Sequence, residues 1–214
     1  MHNKIIGIFG GTFDPIHHGH LRLAIELYER LNLAQVRLIP SACPPHKQQP
    51  TVTSEQRLQM VQVAINGIQG LTVDDRELQR KGISYTINTL NSLRIDYPAN
   101  PLGLILGMDA FLSLSSWHKW EHIIDLTHLI VVSRETFNLP ESNIMHSFLH
   151  KHQANNIQDL TTQIAGKIWL QDIPTLNISA TQIRAIIATG KNPNYLLPTA
   201  VLDIINTRKL YSNS

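Results

Sequence analysis

Apolar runs alternate with amphipathic stretches along most of this chain. Ile5 to Phe9 is apolar throughout except at Gly7, without the polar–apolar alternation of a half-exposed strand. Such a run suits a parallel strand buried on both faces. From Gly19 the period changes. Leu21, Ala24, Leu27, Tyr28 and Leu31 recur at three- and four-residue steps, with Arg22, Glu26, Glu29 and Arg30 largely opposite, which predicts a helix. Val36 to Pro40 reads as a second strand. Ser54, followed by Glu55, predicts a capped helix with Leu58, Val61, Ile65 and Ile68 as its inner stripe. Leu71 to Val73 is a short strand, and the charges of Asp74-Asp75-Arg76-Glu77 after it are expected to face water. Ile87, Leu90, Leu93 and Tyr97 predict another helix, with Ser84 or Thr86 as its cap.

The second half repeats the alternation. Leu102–Leu106, His128–Ser133 and Lys167–Leu170 read as strands, and Trp117 and Trp120 sit at helical spacing, Trp120 as core. Met145, Phe148 and Leu149 dock a short helix in the otherwise polar stretch from Asn138 to Gly166. Ser179 with Gln182 makes a capping box that starts a helix, Ile183, Ile186 and Ile187 are its inner face, and Gly190 is its stop. Pro198 opens a last helix on Val201, Leu202 and Ile205. No linker or repeat interrupts the order. The expectation is one doubly wound α/β domain over residues 1–214, with a mostly parallel sheet.

Composition narrows the function. With 43% hydrophobic and 16% charged residues the chain is not built for disorder, and a net charge of +2 gives no nucleic-acid surface. A lone cysteine, Cys43, excludes an internal disulfide and fits a reducing compartment. No apolar run approaches membrane-spanning length, so a cytoplasmic enzyme is expected. The oligomeric state is not legible.

The chemistry concentrates after the first strand. Gly10 and Gly11 stand where the chain must turn and leave its backbone open, followed by Asp14, Pro15, and three imidazoles within four positions, His17, His18 and His20. A helix mouth there offers free N–H groups and a positive dipole end to a phosphate. Neither a P-loop nor a G-x-G-x-x-G turn is present. A second such mouth lies at Ser179, with Thr181 and Arg184 in its first turns. The Leu102–Leu106 strand also ends on a special turn, Gly107-Met108-Asp109, where Asp109 would bind Mg²⁺ through water, hold a ribose hydroxyl, or cap a helix. His146, His150 and His152 lack a nearby carboxylate or cysteine to complete a metal set.

Gly10-Gly11-Thr12-Phe13-Asp14-Pro15-Ile16-His17-His18-Gly19-His20 resembles the signature of the H-x-G-H nucleotidyltransferases, and Ile178-Ser179-Ala180-Thr181-Gln182-Ile183-Arg184 resembles their I-S-x-T-x-x-R motif. Within that superfamily the chain most resembles the bacterial nicotinate-nucleotide adenylyltransferases. The resemblance implies a Rossmann-like fold and transfer of adenylyl from ATP to nicotinate mononucleotide in NAD biosynthesis, with Mg²⁺ bridging phosphates. It implies catalytic roles for His17, His20 and Arg184. ATP would be held by Gly10, Gly11, Thr12, Phe13, His17, His20, Gly107, Asp109, Ser179, Thr181 and Arg184. The mononucleotide would meet Asp14, Pro45, His46, Lys47, Tyr85, Thr86, Trp117 and Arg134. Relatives follow this arginine with a Pro-Gly turn, whereas Glu135-Thr136-Phe137 stands here. Three other readings stay open: a sister transferase such as pantetheine-phosphate adenylyltransferase, a metallohydrolase using His17, His18, His20 and Asp14, and a non-catalytic nucleotide sensor.

Overall fold

The computed structural model describes residues 4–44, 50, 52–133, 144–174 and 176–212. In chain order these form β1 (Ile6–Gly11), α1 (His18–Arg30), β2 (Gln35–Pro40), α2 (Ser54–Ile65) and β3 (Leu71–Val73). Next come α3 (Arg76–Gln79), α4 (Thr86–Asp96), β4 (Leu102–Gly107), α5 (Met108–Leu112), α6 (Ile123–Leu126) and β5 (His128–Ser133). The order closes with α7 (Ile144–His152), α8 (Asp159–Thr162), β6 (Ile168–Asp172), α9 (Ala180–Ala188) and α10 (Thr199–Thr207).

Among the described residues six strands make one sheet in the order β3-β2-β1-β4-β5-β6. Every pairing is parallel, so the sheet is wholly rather than mostly parallel. The apolar runs are explained by two buried layers. Leu102, Leu104, Leu106, Leu129 and Val131 face one layer, with α4, α5 and α6, while Ile105, Ile130 and Val132 face the other, with α1, α2 and α10. Alternate side chains go to opposite faces, and both faces are dry. β1 and β4 are neighbours although β2 and β3 lie between them in sequence. The winding reverses there, which opens a crevice at their carboxyl ends.

Several local expectations are corrected. Thr53, not Ser54, caps α2: the Gln56 N–H donates to Thr53 Oγ1 (3.2 Å) and the Thr53 N–H to Gln56 Oε1 (2.9 Å). Val61 and Ile65 of the expected α2 stripe are buried, but Arg57, Met60 and Ala64 complete it, while Leu58 is only half-buried and Ile68 lies beyond the helix. Asp74 and Glu77 are buried rather than solvated. Asp74 accepts from Arg37 Nε (3.0 Å) and Arg76 Nε (2.9 Å), so its charge is neutralised inside. Trp117 and Trp120 do not share a helix: two short 3₁₀ turns, Leu114–Ser116 and Trp120–His122, flank an extended Trp117. Trp120, only half-buried, packs edge-on against Phe148 (5.2 Å). At α9 Ser179 caps through the Gln182 N–H (3.2 Å), without the reciprocal side-chain bond of a full capping box.

Candidate active site

β1 delivers the site. It runs through Gly10 and Gly11 rather than turning at them, and the turn falls on Phe13, in the left-handed region at φ 49°. Nothing lies within 4 Å of where a Gly10 Cβ would be, so the backbone there is open to a ligand. The Phe13 ring stands edge-on to Phe9 (5.7 Å) and to His20 (5.1 Å), which fixes it under the turn. Arg57, 1% exposed, reaches beneath and donates from Nη1 to the Thr12 carbonyl (2.6 Å) and from Nη2 to the Ala42 carbonyl (3.3 Å). One guanidinium thus joins the turn after β1 to the loop after β2.

His17 is the residue before α1, with extended backbone, and His20 lies in its first turn. The two rings stack at 3.7 Å with 23° between planes. A Cβ on Gly19 would lie 3.0 Å from His17 Cε1 and Nδ1, so glycine is needed there for room rather than for φ. His17 is 5% exposed and its Nδ1 has no hydrogen-bond partner. Burial, with a smaller push from His18, lowers its pKa from 6.5 to about 4, so the imidazole is neutral at neutral pH. The stability linked to this is fully present above about pH 6.5 and is lost as pH falls through about 4. The shift corresponds to roughly 3 kcal/mol. His17→Gln is therefore expected to flatten the loss of folding stability between pH 7 and pH 4, measured by urea denaturation. A wild-type and variant curve of equal steepness would overturn the buried, neutral assignment.

The mouth of α9 comes to the same place. Arg184 donates from Nη1 to the Asp14 carbonyl (2.7 Å) and from Nη2 to Thr181 Oγ1 (3.3 Å), so its fork is held between the two motifs. Beside them, at the ends of β1 and β4, opens a cleft of about 490 Å³, an ordinary size for a small-molecule site. Gly10, Gly11 and Thr12 form one wall, Gly107 and Asp109 another, and Tyr85, Thr86, Trp117 and His118 the far end. Tyr85 and His118 are in ring contact at 4.4 Å. Thr86 is the first residue of α4, and no side chain caps that helix. Ser84 instead accepts from the N–H groups of Ala42 and Cys43 (both 3.1 Å), which ties the loop after β2 to the cleft wall.

Of the expected site residues, Gly10, Gly11, Thr12, Gly107, Asp109, Tyr85, Thr86 and Trp117 line this cleft. His17, His20, Phe13, Ser179, Thr181 and Arg184 gather at the two helix mouths. Asp14, expected beside the mononucleotide, is 7% exposed and bonded through Oδ1 to Tyr211 Oη (2.7 Å). Pro45, His46, Lys47 and Arg134 lie outside the described residues, although Pro44 lines the cleft. Arg57, Glu77, His118 and Tyr211 escaped the sequence reading. Arg57 left a signal, since it occupies the apolar phase of Met60, Val61 and Ala64. His146 and His150 are in ring contact at 5.9 Å, and His152 Nδ1 bonds the Gly166 carbonyl (2.9 Å).

A 3-2-1-4-5-6 parallel sheet with an H-x-G-H loop at its switch point and a second helix mouth opposite is the framework of a nucleotidyltransferase. The cytidylyltransferase-like family profile matches residues 8–186. The "probable nicotinate-nucleotide adenylyltransferase" of Aeromonas hydrophila is 46% identical over 206 residues, 96% of each chain. That of Methylococcus capsulatus is 38% identical, covering 97% of this chain and all of its own. The chain belongs to the nicotinate-nucleotide adenylyltransferase family. The fold agrees with that of Plasmodium falciparum nicotinic acid mononucleotide adenylyltransferase complexed with NaAD, at TM-score 0.74, 21% identity and 98% coverage of both chains.

Proposed function

We propose that this chain, acting as one catalytic unit in the cytoplasm, joins ATP and nicotinate mononucleotide into deamido-NAD and pyrophosphate, a step of NAD biosynthesis. The observation that carries the reading is that the Arg184 fork bonds the Asp14 carbonyl, in the loop that carries the stacked His17–His20 pair and follows the Gly10–Thr12 edge of the cleft. The mononucleotide phosphate attacks the α-phosphorus of ATP in line, and pyrophosphate leaves. The attacking phosphate is already ionised near neutral pH, so neither a protein nucleophile nor a general base is required. The protein positions the two phosphates and stabilises charge. His17 and His20 donate to the phosphate oxygens. Arg184 and the α9 mouth hold the leaving pyrophosphate, and Trp117 stacks on the pyridine ring. His18, half-exposed, takes no catalytic part.

Asp109, exposed in the first turn of α5 on the cleft wall, fits a Mg²⁺ that keeps its waters and is bound through one carboxylate and substrate phosphates. Among the described residues no group of three or more His, Cys, Asp or Glu is placed to hold a metal unaided. Bound there, the ion would neutralise phosphate charge. The metallohydrolase reading is weakened by Asp14, whose carboxylate faces Tyr211 and Arg184 instead of joining the histidines. Among the described residues no helix is long and apolar enough to cross a membrane. Pyrophosphate release with ATP and a panel of acceptors is the test, with release expected only when a pyridine mononucleotide is supplied. Release with phosphopantetheine would transfer the reading to the sister enzyme, and ATP binding without release to a sensor.

A further inference from the structure

Past α10 the chain takes an uncommon path. α10 packs on α2 through Val201 and Ile205, and the Leu210 N–H closes the helix onto the Ile205 carbonyl (2.9 Å). Lys209 and Tyr211 both adopt left-handed backbone, at φ 50° and 62°. That conformation disfavours residues with a Cβ, so the surroundings must impose it. Its result is to carry the Tyr211 ring inward, where Oη donates to Asp14 Oδ1 at 2.7 Å across 197 residues of chain. Burial, the bond and the charge of Asp14 raise the Tyr211 pKa, so the phenol keeps its proton and remains a donor.

Asp14 stands three residues before His17, and its two functional groups are divided. The backbone carbonyl accepts from Arg184 Nη1 at 2.7 Å, whereas the carboxylate Oδ2 is 4.0 Å from that nitrogen. A buried carboxylate without another donor would close this gap and pair fully with the guanidinium. Tyr211 supplies that donor. We propose that Tyr211 is a positioning residue for adenylyl transfer: it holds the Asp14 carboxylate off Arg184, leaving the free edge of the guanidinium for the leaving pyrophosphate. This rests on the adenylyltransferase reading and extends it to a residue far from the motifs.

Tyr211→Phe removes the hydroxyl and keeps the ring. Its kcat should fall roughly tenfold, the size of one lost bond to a charged group, while KM for the mononucleotide stays within about twofold. On an Asp14→Asn background the same change should have almost no further effect, because a neutral amide no longer competes for Arg184. Wild-type release of pyrophosphate is measured first, and its absence would defeat the enzymatic reading itself. With an active wild type, three results would overturn the role of Tyr211. They are an unchanged kcat in Tyr211→Phe, a lowered melting temperature with kcat per folded molecule intact, and effects of the two substitutions that simply multiply.

Discussion

Replacing His20 with alanine is expected to lower kcat about 10²–10³-fold, with a much smaller rise in KM for ATP. The magnitude is that of removing one preorganised donor from a site where negative charge grows during reaction. Preorganisation is visible around the ring: His17 stacks on one side at 3.7 Å, and Phe9 and Phe13 meet it edge-on at 6.1 and 5.1 Å. These contacts hold the imidazole before substrate arrives, so no reorganisation is required at the moment of transfer. His18 lies outside this stack and is half-exposed, so His18→Ala should change kcat far less. Steady-state pyrophosphate release from the three alanine variants separates the roles. Small and equal effects at His17, His18 and His20 would show that the phosphates are stabilised elsewhere.

The sheet was legible because its central strands are buried on both faces, which leaves apolar runs such as Leu102–Leu106 unmixed with polar residues. The two helix mouths were legible because their chemistry is local, packed into His17–His20 and Ser179–Arg184. What escaped depends on partners distant in sequence. Glu77 looked solvated beside Asp74 and Asp75, yet Thr89 donates to its Oε1, bringing it into the cleft wall. Arg57 stands in the apolar phase of α2, but the Thr12 and Ala42 carbonyls that explain it lie 45 and 15 positions back along the chain. Tyr211 carried no signal at all. Its position follows from two left-handed residues without glycine, which no turn pattern announces. In α2 the expected Val61 and Ile65 are buried, but a charged side chain, Arg57, takes the place in the stripe that an apolar pattern gives to Leu58.

The acceptor is expected to be nicotinate mononucleotide over nicotinamide mononucleotide by about 10²–10⁴-fold in kcat/KM, taking 1.4 kcal/mol as tenfold. The two compounds differ only in a ring carboxylate against a neutral amide. Thr86 opens α4 on the cleft wall without a side-chain cap, and Asn88 and Thr89 donate back to the Tyr85 carbonyl at 3.0 and 3.3 Å. The N–H groups of Thr86 and Ile87 precede that ladder and carry the positive end of the dipole. A carboxylate there accepts from both. An amide turns its own N–H₂ toward a donor and leaves buried groups unmatched, at about 1–3 kcal/mol each. Trp117 favours the same pose, since a pyridinium ring over an indole face is attracted by its quadrupole. Trp117→Ala should therefore weaken both mononucleotides while the affinity for ATP stays nearly constant. One group opposes the preference: Glu77 lines the same cleft, and its Oε2 has no hydrogen-bond partner. That oxygen would accept from an amide, so the preference for the acid requires the ring substituent to meet the α4 mouth rather than Glu77. Comparing kcat/KM for the two mononucleotides decides between them, because parity or a preference for the amide would assign the substituent to Glu77.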